Sequence, residues 1–130
     1  MATYEITITR GPAADRKSKG TLKYTGTITH SCDCYWNKDK RIPVGTYERC
    51  SKTYMANALN SKKEQREGIY LPDVAGYSGI FIHYGTNLND ASSLAVWSKG
   101  CIVMDEDDVL KIWDDITPKD GFNVKVSVED

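Results

Sequence analysis

Long apolar runs, an excess of either charge and histidine are what this chain has least of. No apolar run exceeds four residues, Leu94-Ala95-Val96-Trp97 being one, against the ~18 needed for a membrane-spanning helix. No membrane helix is expected, and no membrane partner. Lys and Arg total 17 against 18 Asp and Glu, a net charge of -1. General nucleic-acid binding needs a basic field to displace counterions from phosphates, so nucleic acid is not expected as a partner either. Met1 to Arg10 has neither the basic start nor the apolar stretch of a secretory leader. The expectation is synthesis in the cytoplasm without a Sec signal, and action in the periplasm or cell wall only after export by another route. Repeats, low-complexity tracts and linker-like stretches are missing, which predicts one domain over residues 1–130.

What is present reads as strand after strand. Tyr4, Ile6 and Ile8 alternate with Thr3, Glu5, Thr7 and Thr9, the period of a strand with one solvated side. Residues 21–36 hold the same period: Leu22, Tyr24, Gly26, Ile28, His30, Cys32, Cys34 and Trp36 fall on one face. One long strand fits, or two joined by a bulge that preserves parity. Asn37 to Arg41 is a charged turn, and Ile42 to Tyr47 opens another strand. Residues 56–67 are polar and read as a loop or a marginal helix, with Lys62-Lys63-Glu64-Gln65-Arg66-Glu67 as a solvated stretch or a substrate-contacting lid. Ile69 to Leu71 and Gly79 to His83 read as short strands, the second apolar enough for a central, doubly buried one. Asn89 or Asp90 can cap a short helix through Trp97. A firmer helix spans 106–116: Asp105 caps it, Glu106, Asp107 and Asp108 favour its positive end, and Pro118 follows it. Phe122, Val124, Val126 and Val128 close the chain as an alternating strand.

The chemistry rests on few residues. Only two histidines exist, His30 and His83. His83 ends an apolar strand and opens into Tyr84-Gly85, where a rigid strand can aim a side chain at a substrate. Cys101 follows Gly100, whose small size permits close approach, and backbone N–H groups at such a turn can stabilise an oxyanion. A thiol and an imidazole within reach make a nucleophile and its base. The plainer reading also stands: a cysteine opening an apolar strand is a small buried hydrophobe, and a lone strand histidine is structural. The remaining cysteines, Cys32, Cys34 and Cys50, allow disulfides by count, but reduced thiols are the default without a leader. His30, Cys32, Cys34 and Cys50 are all metal-ligand types. Yet a strand spacing of two sets ligands about 7 Å apart, awkward for one tetrahedron, and no metal or other cofactor is expected. Trp36, Trp97 and Trp113 read as core residues, although Trp97 stands three before Gly100, where it can wall a cleft.

The order of these residues resembles a known family. Ile82-His83-Tyr84-Gly85, then Ser98-Lys99-Gly100-Cys101-Ile102, is similar to the catalytic motif of the L,D-transpeptidase (YkuD-like) superfamily. Upstream, Arg41-Ile42-Pro43-Val44-Gly45-Thr46-Tyr47 looks like its Pro-x-Gly-Thr-aromatic strand. Asn87, after Thr86, falls near an asparagine of a compact phage and bacterial branch. The agreement covers roughly residues 40 to 105.

The resemblance implies a mostly β fold, sandwich- or barrel-like with one or two helices, and Cys101 and His83 on adjacent strands. It implies acyl transfer on peptidoglycan stem peptides, the expected partner. The thiolate attacks the carbonyl of an L-residue, typically diaminopimelate, D-Ala leaves, and the acyl group passes to an amine or to water. Gly100 and Lys99 would supply the oxyanion contact, and Tyr84, Gly85, Ser98 and Trp97 would line the substrate cleft. A monomer is expected, with a secretion-machine or immunity protein as a candidate partner and an antibacterial effector or phage cell-wall role as the setting. Two positions depart from the pattern: Lys99 replaces a second histidine, and Val103 replaces a polar residue, often arginine. The alternative is a catalytically impaired module of the same fold that binds peptidoglycan or a partner.

Overall fold

Alternation decides which side chains are buried in the strands near the two ends of the chain. In the computed structural model, which describes residues 3–11, 14, 18–59, 65–85 and 100–130, β1 (Tyr4–Thr9) buries Tyr4, Ile6 and Ile8 and exposes Glu5 and Thr9. The same rule sorts β2 (Lys19–Thr25) and most of β3 (Thr29–Tyr35). β4 (Gly45–Leu59) buries Cys50, Ser51 and Lys52 in succession, and β5 (Gln65–Leu71) buries Gly68 and Ile69. β6 (Ile80–Tyr84) buries its last three residues and β7 (Ile102–Met104) all three, before alternation returns in β8 (Val124–Glu129). The eight strands close into a barrel in the order β1-β2-β3-β7-β6-β5-β4-β8, which leaves no edge to template aggregation. Two of the pairings are parallel, β1 with β8 and β6 with β7. The interior is filled by side chains, among them Ile6, Leu22, Ile69, Ile82, Ile102 and Val126.

Strand directions give the barrel two distinct ends. One gathers Arg10, Trp36, Leu71, Ile80 and Cys101, the other Tyr4, Tyr24, His30, Tyr84 and Met104. The helix α1 (Glu106–Asp115) crosses the second end and buries Val109 and Ile112. Groups from three strands meet it there. Tyr24 donates to Asp115 at 2.5 Å and His30 bonds Asp108 at 2.8 Å. The Trp113 indole N–H donates to the Thr53 carbonyl at 3.1 Å. Lys52, buried beside the Trp113 ring, donates to the Trp113 carbonyl at 3.0 Å. The last turn of α1 has no basic residue of its own. Lys52 supplies a cation at that negative helix end.

Three expectations change. Residues 21–36 form a hairpin rather than a continuous or bulged strand, with Thr25 opposite Thr29 and Tyr24 opposite His30. Even residues pair with even ones, so the alternation passes through the turn intact and hides it. Gly26 makes the turn possible, because a Cβ there would collide with Tyr24 and Asp115. The polar stretch 56–67 is neither helix nor plain loop where it is described, since β4 runs to Leu59 and β5 begins at Gln65; Lys62, Lys63 and Glu64 lie outside the described residues. Phe122 sits before β8 with φ +54°, 57% exposed. Among the described residues α1 is the single helix; the segment proposed to run to Trp97 lies outside them.

Candidate active site

Cys101 and His83 are positioned by the parallel pair β6–β7. The register sets Ile82 beside Ile102 and His83 beside Val103. Cys101 directly precedes β7, and its sulfur reaches β6 at Phe81, two residues before His83. The thiol terminates the ladder. Its sulfur accepts the Phe81 N–H at 3.4 Å and donates to the Gly79 carbonyl at 3.8 Å.

Both groups are buried, Cys101 at 9% exposure and His83 at 4%. His83 Nδ1 lies 3.0 Å from the Tyr84 carbonyl. A carbonyl only accepts, so Nδ1 carries the proton and donates it. In the neutral ring that leaves Nε2 with the lone pair, the atom a general base uses. Burial pushes the Cys101 thiol above its ordinary range, and the Phe81 N–H offsets part of the rise by favouring the thiolate.

Gly100 owes its identity to its neighbours as well as its backbone. Its φ is +111°, and a Cβ there would lie 2.8 Å from both Ile80 Cδ1 and Tyr77 Cδ1. The groups that approach it are therefore protein side chains. Tyr77 also donates to the Arg41 carbonyl at 3.2 Å, joining the two halves of the sequence motif. Arg41 in turn donates to the Gly11 carbonyl and to Asp130, both at 2.7 Å. Arg10 donates to the Ile42 carbonyl at 2.8 Å and to Asp130 at 3.1 Å. The segment resembling the Pro-x-Gly-Thr-aromatic strand is thus locked to the C-terminus, and Tyr47 donates back to the Pro43 carbonyl. Tyr77, Gly79 and Phe81 were missed from sequence. The only signal was two glycines, Gly76 and Gly79, flanking Tyr77-Ser78 ahead of an apolar strand.

Other expected site residues fall differently. Tyr84 does not line a cleft: alternation turns it into the core, where its hydroxyl donates to Glu67 at 3.1 Å. Gly85 extends the ladder by donating its N–H to the Met104 carbonyl. Val103, where the resemblance has a polar residue, is fully buried and pairs with Tyr35 on one side and His83 on the other. Trp97, Ser98 and Lys99, with Thr86 and Asn87, lie outside the described residues. All four cysteines are described, and none forms a disulfide.

The L,D-transpeptidase catalytic domain (YkuD) model matches residues 7–128. The chain belongs to that family. At family level the match supports cysteine-dependent L,D-transpeptidase chemistry on peptidoglycan. The eight-stranded barrel with its helix is consistent with the family fold. No curated protein and no solved structure matches the chain.

Proposed function

We propose that this domain carries out acyl transfer on peptidoglycan stem peptides with Cys101 as nucleophile and His83 as its base. The observation that supports the reading is the parallel β6–β7 pair: His83 sits on β6 beside Val103, and Cys101, directly before β7, sets its sulfur on the Phe81 N–H two residues before His83, whose Nδ1 donates to the Tyr84 carbonyl. His83 Nε2 takes the thiol proton as Cys101 Sγ attacks the carbonyl of the L-centre, typically of diaminopimelate. The same proton then goes to the departing amine of D-Ala. The thioester is resolved by a second amine, which makes a cross-link, or by water, which makes a carboxypeptidase. Because burial keeps the Cys101 thiol protonated at neutral pH, proton transfer to His83 accompanies attack. Peptidoglycan sets its place of work at the cell wall, as an antibacterial effector or a phage cell-wall protein.

Incubation with purified tetrapeptide muropeptides, read by product mass, tests the reading. Loss of D-Ala alone identifies a carboxypeptidase; dimers or exchanged termini identify a transpeptidase. Unchanged muropeptides with folded wild-type protein overturn it. The second reading, a binding module with turnover lost, is favoured by the buried Val103 at the polar position. It expects retention of the protein on intact sacculi with no product at all.

A further inference from the structure

Three side chains of different chemistry meet at the helix end of the barrel, away from Cys101. His30 and Cys32 are two apart on β3, so they share a face. Asp108 joins them from the first turn of α1. The ring nitrogen, the sulfur and a carboxylate oxygen all lie within 4.8 Å of one another, with His30 Nε2 2.8 Å from Asp108 Oδ1. All three side chains are half-buried. We propose that His30, Cys32 and Asp108 form a binding site for a borderline-soft divalent transition cation of the zinc class, its fourth position left to solvent.

The donor set selects the ion. Imidazole, thiolate and carboxylate are the three ligand types of zinc, whereas magnesium and calcium demand oxygen. Zinc bonds of about 2.0–2.3 Å place neighbouring ligands about 3.3–3.8 Å apart in a tetrahedron, so small side-chain rotations gather these atoms. Charge balances too, since one thiolate and one carboxylate neutralise a dication. The Cys32 thiol releases its proton to solvent on binding, and a protonated His30 releases a second. Without a cation the thiol is pushed up to about 12 by burial and by the nearby carboxylates of Asp108, Asp33 and Asp105. A dication reverses the sign of that field. The strand-spacing objection does not apply to this pair, because the His30 nitrogen and the Cys32 sulfur lean to within 4.8 Å of each other and the helix supplies the third ligand. Ligation ties the start of α1 to β3, a clamp between helix and barrel.

Titration of the chelator-treated full chain with Co²⁺, followed by Zn²⁺, tests the site. The expected result is one equivalent bound, a thiolate-to-cobalt charge-transfer band displaced by zinc, and a higher thermal midpoint with zinc than with chelator. Cys101→Ala should leave all three intact. Cys32→Ser should abolish the band, and Asp108→Asn should weaken zinc binding about tenfold or more. If Cys32→Ser does not fold, Asp108→Asn and His30→Gln carry the test through zinc affinity. The proposal is overturned if no stoichiometric binding occurs, if Cys101→Ala removes the band, or if folded variants at these three positions bind as wild type. His30 and Asp108 then form only an ion pair.

Discussion

The two ends of the barrel hold their cysteines by different means. At one end Cys101 meets main chain: the Phe81 N–H and the Gly79 carbonyl, after a glycine whose added Cβ would crowd Ile80 and Tyr77. At the other end Cys32 sits among side chains, beside the His30–Asp108 pair under α1. Main-chain contacts fix a sulfur in position through neutral groups, which suits a nucleophile. Side-chain contacts bring charge, which suits an ion or a strap.

The largest expected effect breaks the comparison outright. Cys101→Ala should reduce turnover of muropeptides to background with the thermal midpoint retained. Cys34→Ala and Cys50→Ala should keep activity and lose about 1 kcal/mol of stability through packing, measured by denaturant unfolding. Equal loss of activity in all cysteine variants, each normally folded, would move the chemistry to a metal. Next in size is His83→Ala, expected to slow turnover about 10²–10⁴-fold by removing the base. It should also slow alkylation of Cys101, and an unchanged rate in both assays would make His83 structural.

Gly100→Ala sharpens the main-chain side of the contrast. Positive φ and contacts with Ile80 and Tyr77 predict a loss of about 1–3 kcal/mol, with activity falling alongside it. A variant of wild-type stability would show that the turn adapts. The alkaline limb of stability tests the buried thiols. Burial holds Cys34 and Cys50 protonated up to about 12 when folded, whereas an unfolded thiol ionises near ~8.5. Their raised folded pKa contributes stability that is whole below the unfolded value and lost as pH climbs towards about 12. Denaturant midpoints should therefore fall across that window, and fall less in Cys34→Ala; identical curves would remove the thiols from the account.

The smallest effect concerns Lys99, an expectation drawn from sequence alone. An ammonium near Cys101 favours the thiolate. Lys99→Ala should slow Cys101 alkylation and raise its pH midpoint, with Lys99→Arg near wild type and Lys99→His active. An unchanged midpoint in Lys99→Ala would assign Lys99 to solvent.

Much of the barrel was readable in the sequence because burial follows period two. β1, β6, β8 and α1 sit where Tyr4–Ile8, Ile80–His83, Val124–Val128 and the Val109–Ile112 spacing put them. The β2–β3 hairpin was not readable, because pairing even with even residues leaves alternation unbroken across Gly26. Neither was the inward turn of Tyr84, which depends on which face of β6 meets the core.

By itself the sequence determined a mostly β domain, a helix read at 106–116 and the order His83, Gly100, Cys101 that carries the family resemblance. These are local quantities: periodicity, capping and spacing along one chain. Only the tertiary structure decided that β6 and β7 are parallel neighbours, that Tyr77 fills the space beneath Gly100, and that Asp108 reaches His30 across 78 residues. Barrel closure sets these contacts by joining strands distant in sequence, and no local pattern encodes which strand becomes whose neighbour.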